Sequence, residues 1–131
     1  MSGRSWLIVQ LDAMHRSRGG DWYYRTFAPG RALAALSGVY VVNVDQAHRK
    51  LPQLLEQADV LVMNGVCSPD LLPVLHQRKQ ARRPSVFEIN DDVQAIQKSN
   101  PLAGFFAQAE NLRLFRRLAL SSDAVQYSVP E

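Results

Sequence analysis

Five short apolar segments, separated by stretches of helical pattern, constrain the fold of this chain more than any other feature. Val, Ile and aromatic residues dominate them, and most lack strict alternation of apolar and polar residues. Continuous apolar runs are typical of strands buried on both faces of a parallel sheet. We therefore predict five strands, over residues 6–11, 39–44, 60–63, 85–89 and 124–127.

Helical patterns fill the intervals between these strands. Pro29 lies inside the first pattern, where it must either open the stable part of the helix or kink it. Ser68 is a good N-cap, with Pro69 at the first helical position. The predicted helices span residues 21–36, 50–57, the segment after Ser68, and 104–120, the longest.

The resulting order β-α-β-α-β-α-β-α-β predicts an α/β fold. We expect a Rossmann-like open parallel five-stranded sheet with helices on both faces, formed by residues 1–131 as a single domain. Right-handed crossovers leave few strand orders. The order 3-2-1-4-5 is our first choice, and the flavodoxin-like order 2-1-3-4-5 is the second.

Composition excludes several classes of protein. A hydrophobic content of 47% excludes a disordered chain. The net charge of +3 is scattered except for a cluster of Arg78, Lys79, Arg82 and Arg83. A nucleic-acid binder usually carries a basic stripe with interleaved aromatic residues. We interpret the cluster as a solvated helix C-terminus, favoured by the helix dipole, and expect no nucleic-acid partner.

Few residues suggest a disulfide, a metal site or a membrane segment. Cys67 is the only cysteine, so it has no partner for an internal disulfide. His15, His48 and His76 share no ligand spacing, and we expect neither a metal nor a cofactor. The apolar run 6–11 is too short for a signal peptide, so we predict a cytoplasmic protein.

Ligands of an open parallel sheet bind where the strands end. In the loop after the first strand, Gly19 and Gly20 precede a helix, so backbone N–H groups could approach an anion there. The alternative is a plain turn. His15 in the same loop is a candidate ligand contact or a solvated residue.

The loop after the fourth strand carries the strongest catalytic candidates. Asp91 and Asp92 follow a buried strand directly, and adjacent carboxylates are better tolerated when they bind hydroxyls, a cation or an arginine. The alternative is an Asx cap on the next turn.

The residues at the ends of the second and third strands bear on two further protein classes, the dinucleotide-binding fold and the receiver domain. Asp45 stands where a dinucleotide-binding fold often has its ribose-binding acid, but no G-x-G-x-x-G motif follows the first strand. Asn64 occupies the place of the acceptor aspartate of a receiver domain, which argues against that class. Asn64 remains a candidate ligand-binding residue.

Three segments resemble family 4 glycosyltransferases of the GT-B type. Residues 19–25 (GGDWYYR), with Pro29 and Leu33 after them, resemble the glycine-rich loop, aromatic–arginine pair, proline and leucine at the start of that family. Residues 86–92 (VFEINDD) resemble its fourth strand with clustered aspartates. Residues 122–125 (SDAV) resemble its fifth strand. Together the matches span most of the chain.

The resemblance implies two Rossmann-like domains facing each other across a cleft. The N-terminal domain mainly binds the acceptor, and the C-terminal domain mainly binds the nucleotide-sugar. This chain would be the N-terminal, acceptor-side half of a hexosyltransferase, inactive alone. Gly19 and Gly20 would approach the donor diphosphate or the acceptor, and Arg25 would pair with a carboxylate. Asp91 and Asp92 would bind acceptor hydroxyls, one of them accepting a proton.

Two points stay open at this stage. A peripheral association with a membrane is compatible with such an enzyme. A non-catalytic α/β binding or regulatory module is the alternative function, because one domain does not hold a complete site.

Overall fold

The computed structural model describes residues 3–13, 22–89, 95–100 and 102–127. Within them, five strands form one parallel sheet, which confirms the predicted α/β fold class. Three strands run one residue beyond their apolar segments, so that each ends on a polar side chain. The strands are β1 (Trp6–Asp12), β2 (Val39–Asp45), β3 (Val60–Asn64), β4 (Ser85–Ile89) and β5 (Ala124–Tyr127).

The strand order is β2-β1-β3-β4-β5, so our first choice, 3-2-1-4-5, is wrong and the flavodoxin-like order is correct. The reason lies in burial. Leu61, Met63 and Asn64 of β3 are buried, as an interior strand requires, whereas β2 exposes Tyr40 on the edge of the sheet. Apolar content alone did not distinguish an interior strand from an edge strand.

The first helical region begins with a π-helical segment, Tyr23–Phe27, that continues into helix α1 (Ala28–Ala34). Pro29 falls in the first turn of α1, where its missing N–H is tolerated, so it opens the α-helical part. Gly38, with φ +76°, then turns the chain into β2.

The remaining helices differ from prediction at two places. Helix α2 is Leu51–Gln57, α3 is Leu71–Gln80, α4 is Ala103–Phe106 and α5 is Ala109–Ser121. Ser68 is not the N-cap of α3, because its carbonyl closes a turn onto the N–H of Leu71 at 3.2 Å. The predicted helix 104–120 is two helices, since Gln108 is extended with ψ 121°. This break lets Phe106 pack edge-on against Phe115 at 5.3 Å.

The apolar core lies between one face of the sheet and helices α2, α3 and α5. Val9, Leu11, Leu61, Met63 and Phe87 form its sheet side, and all are fully buried. The π-helical segment and α1 lie against the opposite face, because Thr26 contacts Gln10 and Asp12 there. None of the helices among the described residues is long and apolar enough to cross a membrane.

Candidate functional site

A row of polar side chains crosses the whole sheet at the edge where the strands end, which we call the carboxyl edge. In strand order it consists of Asp45, Asp12, Asn64, Glu88 and Gln126, each paired in register with its neighbour. Paired residues of a parallel sheet point to the same face. The row therefore presents carboxylate and amide groups to the face that carries the π-helical segment.

The three central members of this row are buried. Asp12 is 6% exposed, Asn64 is 6% exposed and Glu88 is 2% exposed. Burial of polar and charged groups is costly unless they are hydrogen-bonded or paired. Their partners therefore decide what this edge of the sheet can do.

Thr26 is the hub of the hydrogen bonds around the row. Its hydroxyl donates to Oδ1 of Asp12 at 2.9 Å and accepts from the side-chain amide of Asn64 at 3.2 Å. Its carbonyl accepts from Nε2 of Gln10 at 2.9 Å. Thr26 lies in the π-helical segment, an element that is rare and frequently found at functional sites. The segment thus holds the ends of β1 and β3 together.

Arg25, the neighbour of Thr26, reaches the fourth strand. Its Nη1 lies 3.6 Å from Oε1 of Glu88, whose side chain is 2% exposed. A buried charge is costly unless it is paired, and the guanidinium supplies an opposite charge to this carboxylate. Arg25, which the sequence analysis selected, is therefore a neighbour of Glu88, which it did not select.

A second branch of the network joins β1 to the edge strand β2. Nδ2 of Asn43 donates to Oδ2 of Asp12 at 2.8 Å, and the indole N–H of Trp22 donates to Oδ1 of Asn43 at 3.3 Å. The Trp22 ring stacks on Phe27, with centroids 4.9 Å apart. Asp12 therefore accepts hydrogen bonds on both oxygens, and Trp22 is held in one orientation.

A pocket of about 150 Å³ opens between the ends of β1 and β2. A cavity of about this volume holds a single six-membered ring such as benzene. Here the lining is polar and includes an aromatic ring. It consists of Asp12, Ala13, Trp22, Asn43, Val44, Asp45 and His48.

Two exposed residues complete the rim of this pocket. Oδ1 of Asp45 accepts from the N–H of Ala47 at 2.9 Å, and the exposed carboxylate has further acceptor capacity for a ligand. Nδ1 of His48 accepts from the N–H of Lys50 at 3.1 Å, so the proton of the neutral ring sits on Nε2. The rim thus offers one acceptor and one donor.

Of the predicted site residues, Arg25 and Asn64 belong to the buried network. Asp45, which was weighed as a ribose-binding acid and not selected, lies at the pocket rim. His15, Gly19, Gly20, Asp91 and Asp92 lie outside the described residues.

Sequence reasoning missed Asp12, Trp22, Thr26, Asn43 and Glu88 as members of a site. Asp12 was assigned to the first loop, but it is the last residue of β1. The available signal was a period of two in the first two strands, where polar residues at 10 and 12 and at 43 and 45 interrupt otherwise apolar runs on one face. Asn64 and Glu88 are single polar residues at or near the ends of the third and fourth strands. Thr26 carried no such signal, because its role depends on the π-helical geometry.

Cys67 is bonded outside this network. The thiol of Cys67 donates to the carbonyl of Asn111 at 3.7 Å, and burial raises the pKa of that thiol, which keeps it protonated. Among the described residues, no group of three or more His, Cys, Asp and Glu side chains could hold a metal ion.

The sequence matches no protein-family model and no curated protein. Among solved structures, the chain is similar to the crystal structure of a conserved protein from Enterococcus faecalis V583. The two are 10% identical with a TM-score of 0.52, and the alignment covers 95% of this chain and 92% of the other. At that identity the likeness shows a common fold and nothing about activity.

Proposed function

We propose that this chain is the acceptor-binding N-terminal domain of a GT-B-type glycosyltransferase, which moves a sugar from a nucleotide-sugar to a hydroxyl acceptor. The observation that carries the proposal is the polar pocket at the carboxyl edge, backed by the in-register row of Asp12, Asn64 and Glu88. Ligands of open α/β sheets bind at this edge.

The chemistry of the pocket suits a hydroxylated ring. Hydroxyl groups need both acceptors and donors, which Asp45 and His48 offer at the rim. The apolar C–H face of a sugar ring packs well on an aromatic surface, and Trp22 supplies one. The pocket volume of about 150 Å³ suits one such ring.

Asp12 is suited to binding rather than to proton transfer. Both of its oxygens accept hydrogen bonds, from Thr26 and from Asn43, so the carboxyl group is held in a fixed position. A general base must instead be placed to take a proton from the substrate. Asp91 and Asp92 remain the proposed contacts of the attacking hydroxyl, on the strength of the family resemblance.

The donor half of the site stays a prediction. A nucleotide-sugar would be held mainly by a second domain, and the cytoplasmic location stays a prediction from the sequence. The second candidate function, a non-catalytic binding module, rests on the pocket alone, which lies at the ends of β1 and β2. The two candidates share a ligand class and differ in whether sugar transfer takes place.

The first test is ligand binding to this domain, with tryptophan fluorescence as readout. The chain has two tryptophans, Trp6 and Trp22, so Trp6→Phe leaves Trp22 as the only reporter. Titration with a panel of free sugars and glycosides should change the Trp22 emission for at least one of them. Asp45→Asn keeps the turn but should weaken binding about tenfold through loss of a charged acceptor. Asp70→Asn, an exposed acid outside the pocket, should leave binding unchanged.

The second test is transfer by the protein encoded by the complete reading frame. A panel of nucleotide-sugars with the ligand found above should give a glycosylated product by mass spectrometry. Binding without transfer or donor hydrolysis across the panel would support the binding module instead. Absence of any ligand in the fluorescence titration would reject the pocket itself.

A further inference from the structure

The solvent side of the π-helical segment is aromatic. Arg25 and Thr26 of this segment reach the buried polar row of the sheet. Tyr23 and Tyr24 are 48% and 73% exposed to solvent. The segment therefore turns two polar side chains inward and two aromatic ones outward. Contiguous exposed aromatic surface on a folded domain marks a place where a ligand or partner binds.

The two tyrosines belong to a connected group of four rings, which we call the aromatic platform: Trp22, Tyr23, Tyr24 and Phe27. The centroid of the Phe27 ring lies 4.9 Å from that of Trp22 and 5.8 Å from that of Tyr23. Tyr23 meets Tyr24 edge to face, with centroids 5.2 Å apart. Phe27 thus joins the ring that lines the pocket to the two exposed tyrosines.

Contacts outside the platform fix its inner rings. The indole N–H of Trp22 donates to Oδ1 of Asn43 at 3.3 Å, and the guanidinium of Arg31 lies 5.7 Å from the Phe27 centroid. Side chains that are already ordered lose little conformational entropy when a ligand binds. Tyrosine and tryptophan also supply a large contact area with few rotatable bonds.

From this arrangement we infer that the aromatic platform binds the further units of a linear oligosaccharide whose terminal unit occupies the pocket. The inference rests on the proposed function and narrows its ligand from a sugar to a glycan chain. The pocket of about 150 Å³ takes one ring, so the next units must lie outside it. The platform begins at the pocket, because Trp22 belongs to both.

The chemistry of the platform matches a glycan chain. The C–H face of a pyranose ring packs on an aromatic ring, and the phenol groups of Tyr23 and Tyr24 can exchange hydrogen bonds with sugar hydroxyl groups. The separations of 4.9–5.8 Å between successive ring centroids are close to the length of one pyranose unit. Neighbouring units of the chain therefore contact neighbouring parts of the platform.

A protein partner is the competing occupant, because tyrosine is also common in protein interfaces. The continuity of the platform with a pocket of single-ring size favours the glycan. The two occupants differ in one measurable respect. Only for a glycan does the affinity of the protein rise with the number of sugar units.

Saccharide length is therefore the variable that tests the inference. The Trp6→Phe protein, with Trp22 as its only tryptophan, is titrated with glucose, mannose and N-acetylglucosamine, and with the linear di- and trisaccharides of each. In at least one series the affinity should rise about two- to tenfold with each added unit. Calorimetry of the unsubstituted protein provides a second measurement of each Kd.

Substitution of the tyrosines should separate chain length from binding in the pocket. Tyr23→Ala with Tyr24→Ala should remove most of the gain with length but leave the monosaccharide affinity unchanged, because neither residue lines the pocket. Tyr23→Phe with Tyr24→Phe keeps both rings and should keep most of the gain. Tyr40→Ala with Tyr127→Ala is the matched control. Both control tyrosines are 63% exposed, and they lie on the edge strands β2 and β5.

Three results overturn the inference: equal affinity for one, two and three units in every series, a gain with length that survives loss of Tyr23 and Tyr24, or an equal loss in the control variant. Equal affinity at every length would leave the proposed sugar pocket intact. Absence of binding by every probe would instead reject the pocket and the inference together.

Discussion

The two edges of the sheet both hold polar side chains, but they satisfy them differently. At the amino edge, where the strands begin, the partners are backbone groups. The Asp59 carboxylate accepts from the N–H of Leu7 at 2.8 Å, and Asp123 accepts from the N–H of Ser85 at 2.8 Å. At the carboxyl edge, Asp12, Asn43 and Asn64 bond mainly to other side chains.

Because of this difference, the two edges of the sheet have different roles. Bonds to the backbone fix where strands and helices begin, so the amino edge defines the fold. Bonds between side chains can be exchanged for bonds to a ligand without unfolding a strand, so the carboxyl edge can serve a site. Substitutions at the amino edge should therefore affect stability alone, and those at the carboxyl edge should affect ligand binding as well.

The largest loss of stability is expected from Arg78→Met at the amino edge. Arg78 is 3% exposed, and its guanidinium donates to the carbonyls of Leu55 and Ala58 at 2.8 Å each. Burial lowers the pKa of this guanidinium, yet arginine stays charged in proteins. Removal leaves several buried carbonyls without a donor, which should cost about 3 kcal/mol or more of unfolding free energy. Urea denaturation followed by circular dichroism measures the loss.

The neighbouring residue provides the control for that experiment. Lys79 follows Arg78 in the same helix and is exposed, so Lys79→Met should change stability by no more than about 0.5 kcal/mol. Equal urea midpoints for the two variants would show that the amino edge does not depend on Arg78.

At the carboxyl edge, Thr26→Val should give the next largest effect. Valine keeps the shape of threonine but removes the hydroxyl that bridges Asp12 and Asn64. The unfolding free energy should fall by about 1–3 kcal/mol, because both partners are buried. Binding in the Trp22 fluorescence titration should weaken too, unlike in any amino-edge variant that remains folded. Thr26→Ser restores the hydroxyl and should recover ligand binding. If the serine variant binds as weakly as the valine variant, the Thr26 hydroxyl is not what supports binding.

Gly30→Ala tests how closely helix α1 must approach the same network. A Cβ at this position would lie 2.5 Å from Oε1 of Gln10, whose amide group bonds to Thr26. The overlap must displace Gln10 and should cost about 1–2 kcal/mol. Thermal unfolding measures it. Gly104→Ala is the matched control, since nothing lies within 4 Å of its Cβ, and it should be neutral or stabilising by up to about 1 kcal/mol.

The smallest effect on stability is expected at Asp59, and it should appear as a change in how stability depends on pH. The hydrogen bond from the N–H of Leu7, together with Arg4, lowers the pKa of the Asp59 carboxyl group. A lowered pKa contributes stability above the usual carboxyl pKa, and this contribution is lost as the pH falls through the folded-state value. Asp59→Asn should therefore lower stability at pH 7 but hardly at all in strong acid. Glu56→Gln, an exposed acid nearby, should leave the pH profile unchanged; matching profiles for both variants would contradict this role for Asp59.

Local patterns predicted the strands well and the helix details less well. The segments 85–89 and 124–127 match β4 and β5, and the other three strands differ only by their final polar residue. The break at Gln108 was not visible, because an extended residue between two helical patterns leaves the apolar spacing unchanged. The capping role given to Ser68 was wrong because the turn at 68–71 uses its carbonyl instead of its hydroxyl.

For the candidate site, the sequence indicated the edge of the sheet and part of its chemistry. Arg25 and Asn64 were selected, and both are in the network. Glu88 was not, since a glutamate inside an apolar strand is ordinarily turned to solvent. Its contact with Arg25, across the sheet face, places it in the network.

By itself, the sequence determined that five strands alternate with helices in parallel, because apolar runs and helical periodicity are local properties of a chain. Only the tertiary structure decided that β3 rather than β1 lies beside β4, because strand order depends on which side chains fit against each other across the sheet. That order brings Asp12 next to Asn64, and Asn64 next to Glu88. The polar row at the carboxyl edge is thus a consequence of pairing between strands distant in sequence, which no local pattern contains.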